Sequence, residues 1–355
     1  MKPLTTILLC LTCALVAFSQ TGPPVGDISQ VQLQAESGDV AAQRKLGQAY
    51  ELGSGVPKSK EKAFQWYRKA AEQGDPEAEN KIGEMYRLGE GIEQSKHEAV
   101  RWYQKSARQG NAQAMCNLGV AYYNGDGVEI NDSLSYAWFL LAKEAGCERA
   151  TEAVQRAEAE LRPWPVTRAF EEIAQMYQQG EYLPNNPTEA ARWWLKAALR
   201  GDADAEVAIG LILLEGKGVP QDTGQGRHWC NEASNKNHPA STYCIGYMYQ
   251  KGLGVDRNPN KARKLFEQAA QWHNSPAMKA LAQMEASGEG GKTDRVSACV
   301  LYARLAARGD TDALQTLARL KAEMDVKDWM KVEKQLRPFQ IDPRKLENAL
   351  QKSGS

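Results

Sequence analysis

Neither sign of charge is in excess: Lys and Arg number 44, Asp and Glu number 44, and the formal net charge is zero. A nucleic-acid binder needs surplus cations to displace counterions from phosphates, and this balance offers none. It argues equally against a basic membrane-surface protein. Long apolar runs are also lacking. The most apolar stretch, Leu8 to Phe18, is 11 residues, whereas a bilayer span needs about 20. That stretch follows Lys2 and ends at Ala17-Phe18-Ser19, the small-x-small form of a signal-peptidase site. Residues 1–19 therefore read as a signal peptide, with no integral membrane segment once it is removed. The expected location is exported: periplasmic or secreted, if the source is bacterial. Cysteine is sparse too. Of seven, Cys10 and Cys13 fall in the leader, leaving Cys116, Cys147, Cys230, Cys244 and Cys299. An odd, widely spaced set is no disulfide framework, although one bridge could form in an oxidising compartment.

What the sequence does have is a period. Glycine pairs recur as Gly53-Ser54-Gly55, Gly89-Glu90-Gly91 and Gly125-Asp126-Gly127, in steps of 36 residues. A second set, Gly216-Lys217-Gly218, Gly252-Leu253-Gly254 and Gly288-Glu289-Gly290, has the same step. Gly180 stands one period before Gly216, with Tyr182 in place of a second glycine. Other columns keep phase. Leu46-Gly47, Ile82-Gly83, Leu118-Gly119, Ile209-Gly210 and Ile245-Gly246 precede the loops, followed by Tyr50, Tyr86, Tyr122, Tyr177 and Tyr249. After the loops come Ala63, Ala99, Ala190, Ala262 and Ala298, then Trp66, Trp102, Trp138, Trp193 and Trp229.

Each period reads as a helix, a glycine turn and a second, antiparallel helix. Ala78, Ile82 and Tyr86 lie at i, i+4 and i+8, and Ala63, Trp66 and Ala70 at i, i+3 and i+7, each set marking one helical face. A glycine recurring inside the first helix implies close approach of a neighbour. Asp75-Pro76, His238-Pro239 and Ser275-Pro276 place a cap before a proline at the first helical position. Ser95 with Glu98 has capping-box spacing, and Asn186-Pro187 and Asn258-Pro259 mark the same place in later units. The columns predict seven units in two arrays, three then four.

These residues resemble the Sel1-like repeat family, relatives of the tetratricopeptide repeats. The segment GDPEAENKIGEMYRLGEGIEQSKHEAVRWYQKSARQ, and the repeats on either side of it, carry the likeness. The resemblance implies an all-α fold, a right-handed α-α superhelix or solenoid of helix-turn-helix repeats. It also implies a protein-binding scaffold or adaptor. The expected organisation is a leader over 1–19, an N-terminal segment over 20–37 and three repeats over 38–145. A terminating half-repeat and junction follow over 146–164, then four repeats over 165–308, capping helices over 309–341 and a tail over 342–355. The segments 150–161 and 313–324 align with each other, and each leads into Leu-Arg-Pro; each is expected to cover the exposed end of an array. Leu213 and Glu285 stand where the tyrosine column is expected, and Gly226 replaces an alanine.

No residue is assigned a catalytic, cofactor-binding or metal-ligating role. The Gly-x-Gly loops lie between helices, with no strand before them, so the dinucleotide-binding context is missing. His228, Cys230, His238, Cys244 and His273 match no familiar zinc spacing. Cys230 and Cys244, on successive helices, are the one candidate disulfide. Five tryptophans read as core. Trp164, Trp194, Trp272 and Trp329 fall outside that column and are the candidate partner contacts. The expected function is an exported, non-catalytic protein-interaction scaffold without cofactor. The alternatives are a secreted hydrolase of cell-wall or β-lactam compounds, or a structural part of a cell-envelope assembly.

Overall fold

The computed structural model describes residues 28–160, 163–342 and 346, with side chains for 28–159, 166–342 and 346. The leader expected over 1–19 lies outside the described residues. Among those residues are 18 α-helices, one 3-10 turn and no strand, so the chain is all-α as its periodicity predicts. The described residues divide into two compact units, one up to Ser106 and one from Ala107.

The first unit holds α1 (Ile28–Glu36), α2 (Val40–Leu52), α3 (Lys60–Glu72), α4 (Pro76–Leu88) and most of α5 (Lys96–Arg108). Its repeats show how each element is specified. The Asp39 carboxylate accepts from the Ala42 amide at 2.6 Å, and Asp75 repeats this for Ala78 at 2.8 Å. Such caps are worth about 1 kcal/mol each. At the other end of α2, Gly53 takes the left-handed conformation and donates to the Ala49 carbonyl, a geometry that glycine adopts at least cost. The Ser59 amide then bonds the Tyr50 carbonyl at 2.9 Å, closing the turn, and its hydroxyl caps α3 at the Lys62 amide. Ser95 caps α5 in the same way through the Glu98 amide, while the Glu98 carboxylate turns outward to Arg101. Half of the expected capping box therefore forms.

Helix pairs lock through size. A Cβ added to Gly83 would come within 2.6 Å of the Tyr103 ring, and one on Gly47 within 2.8 Å of Tyr67. The mid-helix glycine is thus a seat for an aromatic ring of the second helix. That ring is not the tryptophan but the residue after it. Tyr67 and Tyr103 are each 1% exposed, whereas Trp66 and Trp102 are only half-buried. The core reading of the tryptophan column therefore needs correcting here. The tryptophans lie on the flank of the second helix, with the ammonium of Lys69 or Lys105 over their rings at 3.9 and 4.0 Å.

The second unit continues with α6 (Ala112–Asn124), α7 (Asp132–Glu144), α8 (Glu148–Glu160) and α9 (Pro163–Gln179). The junction expected at Trp164-Pro165 falls inside α9, because proline is tolerated in the first turn of a helix. Then follow α10 (Pro187–Ala198), α11 (Ala203–Glu215), α12 (Thr223–Asn235), α13 (Pro239–Lys251), α14 (Pro259–Gln271), α15 (Ser275–Ser287) and α16 (Arg295–Ala306). The end is covered by α17 (Thr311–Ala322), α18 (Val326–Leu336) and a 3-10 turn over Arg337–Phe339. Leu317, Val332 and Leu336 of these terminal helices are fully buried in the last core cluster. Two cap assignments shift. Asn274, not Ser275, caps α15, and His238 begins α13 without a side-chain cap bond.

Gly119 faces Phe139 and Gly246 faces Phe266 in the same seat, with added-Cβ distances of 2.8 and 2.7 Å. Trp138 and Trp193 are the tryptophans of the column that do enter the core, at 0% and 1% exposure, while Trp229 is half-buried. Leu213 and Glu285 are tolerated in the tyrosine column because its turn contact uses backbone. The Asp222 and Asp294 amides bond the carbonyls of Leu213 and Glu285, each over 2.9 Å or less.

Candidate interaction surface

With the helix pairs closed on their own cores, the residues available for recognition are those the packing leaves outside. In the first unit Leu52 and Leu88, one repeat apart and each just before a loop glycine, are 62% and 51% exposed. In the second, Trp272, Val326, Met330 and Phe339 stand out in the same way. A large exposed apolar side chain recurring in register is the kind of anchor on which interfaces concentrate their binding energy.

The four candidate contact tryptophans divide. Trp272 is 49% exposed at the C-cap of α14. Trp329 is partly buried against the last core cluster. Its indole donates to Glu333 at 2.9 Å, and Lys321 lies 4.6 Å over its ring. Trp194 is 7% exposed and donates to Gln178 at 3.1 Å. It occupies the ring position that follows the tryptophan column, so it is a packing residue and not a free contact. The side chain of Trp164 lies outside those described.

Cys230 and Cys244 are brought together as a disulfide between α12 and α13, Cα to Cα 5.9 Å. Cys230 stands where other repeats place their ring, with its sulfur against Gly210. The bond thus takes over a packing position that lacks an aromatic. The histidines of the zinc reading are dispersed. His238 meets Asp204 at 3.2 Å, and His273 faces Arg304.

A further set of contacts has a period of its own, a first-helix residue paired with the cap 31 residues later. Arg44 bonds Asp75 at 3.0 Å, and Lys279 approaches Asp310 at 3.7 Å. At the same position the Cys116 thiol hydrogen-bonds Cys147, and burial pushes it up to about 12. Glu171 hydrogen-bonds Asp202 and is raised above the usual carboxylate range, chiefly by burial and then by that neighbour, against the pull of Arg168. Sequence reading missed these pairs. The signal was the fixed 31-residue interval, hidden because each repeat fills it with different chemistry.

Buried Glu285 sits in the tyrosine column of α15. Burial pushes its carboxyl up to about 7, with Arg263 at 3.7 Å offsetting part of the cost and Asp294 and Glu267 adding to it. Among the described residues no three His, Cys, Asp or Glu side chains gather where they could hold a metal ion.

A sequence model described as the Sel1 repeat matches residues 40–75, 76–111, 112–147, 172–202, 203–238, 239–271 and 275–310. The chain belongs to the Sel1 repeat family. Its seven matched segments are the seven periods of the sequence. Among solved structures it is similar to a protective antigen of uropathogenic Escherichia coli displaying an SLR fold. That match has 27% identity and a TM-score of 0.41, and covers 87% of this chain. This Sel1 repeat chain spans 63% of the length of that antigen. It is also similar to a Sel1 repeat protein from Oxalobacter formigenes. Here the identity is 29% and the TM-score 0.32, with 69% of this chain and 93% of the other covered. No curated protein matches it. Among the described residues no helix is long and apolar enough to cross a membrane.

Proposed function

We propose that this Sel1 repeat protein is an exported scaffold that binds another protein through the exposed faces of its helix pairs. Sel1 repeat proteins are in general protein-interaction scaffolds, and the family assignment supports that coarse role. The observation that carries the reading is the division of labour within each repeat. Glycine, alanine and ring columns are consumed in mutual burial, while large apolar side chains such as Leu52, Leu88 and Trp272 stay in solvent. Stacked helix pairs present such residues at fixed spacing, so affinity accrues from a few anchors spread over several repeats.

Export is proposed from the leader-like residues 1–19, and the Cys230–Cys244 disulfide suits an oxidising compartment. N-terminal sequencing of the protein recovered from its host tests this, with a mature end at Gln20 expected and an intact Met1 end against it. Affinity capture from the exported fraction tests the binding role. A protein retained in stoichiometric amount supports it. Recovery of nothing above a mock capture contradicts it.

A further inference from the structure

Several basic side chains of the second unit are matched by carboxylates. Arg168 pairs with Glu171 and Glu172, Arg192 and Lys196 with Glu144, and Arg257 with Glu289. Lys236, at the C-cap of α12, pairs with Glu206 thirty residues earlier. One period after Trp272 and two after Lys236 stands Arg308. The residue thirty positions before it is Met278, whose sulfur lies 4.0 Å from the guanidinium. At this register Lys236 faces a carboxylate, Arg200 stands over the Phe170 ring, and Arg308 faces a thioether.

Arg304, one helical turn earlier, is no better served. Its polar contact is the His273 ring at 3.3 Å, and its guanidinium lies 4.2 Å over Phe339. Arg308 donates to the His273 carbonyl at 3.1 Å. Burial and the Arg308 charge both work against the charged form of Arg304, and no carboxylate acts in its favour. Two guanidinium groups therefore share one place with no anion among the described residues. Trp272, 49% exposed, adjoins His273, and Phe339 is 43% exposed beneath Arg304.

We propose that this place is a docking site for an acidic segment of the protein partner, with a carboxylate on the Arg304 and Arg308 guanidinium pair and a neighbouring apolar side chain against Trp272. The inference rests on the scaffold reading and names where and what it binds. A guanidinium fork suits a carboxylate, and the half-buried setting of Arg304 strengthens the attraction over that of a surface pair. Nucleic acid fits less well, because the chain as a whole carries no net positive charge and two cations neutralise few phosphates.

The test uses the full chain and a fluorescein-labelled peptide of about ten residues alternating Asp and Leu, read by anisotropy at low and moderate salt. The comparison probe carries Asn in place of Asp. The expected result is saturable binding of the acidic peptide with Kd below about 100 μM. Arg304→Gln should weaken it at least about 10-fold, and Arg192→Gln should leave it unchanged. Met278→Glu supplies from within a carboxylate like the one Glu206 gives Lys236, and should abolish binding while the helical fold is kept. It stands as the second test should Arg304→Gln fail to fold. No saturable binding of the acidic peptide, equal binding of the Asn peptide, or tighter binding of a deoxythymidine oligonucleotide each overturns the site. If cellular partners are still captured when Arg304→Gln is introduced, the site fails while the scaffold role stands.

Discussion

Replacing Gly91 by alanine isolates the contact that joins one repeat to the next. In four of the loops the second glycine does more than turn the chain. An added Cβ at Gly91 would lie 2.5 Å from the Lys60 carbonyl carbon and 2.8 Å from the Glu61 nitrogen. Both are backbone atoms at the start of α3, in the preceding repeat. Gly218 meets Pro187, Gly254 meets Thr223 and Gly290 meets Pro259 in the same way. Relief at Gly91 requires loop and helix to separate by roughly 1 Å, since nonbonded carbons rest near 3.5 Å. Overpacking of that kind costs about 1–3 kcal/mol. The left-handed backbone of Gly91, φ 72°, adds about 1 kcal/mol for any side chain. Gly74 supplies the control, with φ 85° and nothing within 4 Å of an added Cβ. Gly74→Ala should therefore cost about 1 kcal/mol and Gly91→Ala about 2–4 kcal/mol. Arrays of repeats can unfold in parts, so the assay is native-state hydrogen exchange by mass spectrometry, followed at the amides of α3 and α4. If the two variants lower protection by the same amount, the close approach of loop to helix is refuted.

Three other outcomes follow from the same structure. Glu285 is raised to about 7 by burial, so its neutral form stabilises the fold below the ordinary carboxylate pKa, and that contribution is lost as pH rises from about 4.5 through 7. Glu285→Gln should match the parent near pH 4.5 and exceed it at pH 8 by up to about 3 kcal/mol, read as urea midpoints at both pH values. A parallel pH dependence in the variant removes Glu285 as the cause. Cys230 and Cys244 are 14 residues apart, and closing a loop of that size contributes about 3 kcal/mol. Reduction or Cys230→Ser should lower stability by roughly that amount, and the oxidised protein should weigh about 2 Da less than the reduced chain by intact mass. Trp138→Ala should cost about 3–5 kcal/mol because the ring is fully buried. Trp272→Ala should stay within about 0.5 kcal/mol, and thermal melts that rank the two the other way contradict the burial pattern.

The repeat architecture was legible because it is written in residues whose chemistry is local. A left-handed glycine, a carboxylate cap and a small residue under a ring recur at fixed spacing, and each states its own geometry. The candidate site was less legible. Tryptophan and its successor are both large and aromatic, so in the first two repeats sequence alone ranked the wrong one as the deeper, while at Trp138 and Trp193 it ranked them rightly. The difference depends on where Gly47 or Gly83 opens a seat on the opposite helix. Trp194 was read as free because its repeat has tryptophan at both positions. The spare Arg304 and Arg308 pair was invisible for another reason. It shows only in space, where Arg304 and Arg308 come together and Arg308 meets the Met278 sulfur, not a carboxylate. The paired position of Cys116 and Cys147, Glu171 and Asp202 hides in the same way.

Crosslinking with mass spectrometry in intact host cells tests the central claim most directly, because it reads the unspent surfaces of the repeats where they work. Crosslinks from lysines of the repeat helices to one or a few other proteins, at sites grouped near Leu52, Leu88 or Trp272, are the predicted result. Links confined to this chain itself, with no other protein reproducibly joined, would contradict it.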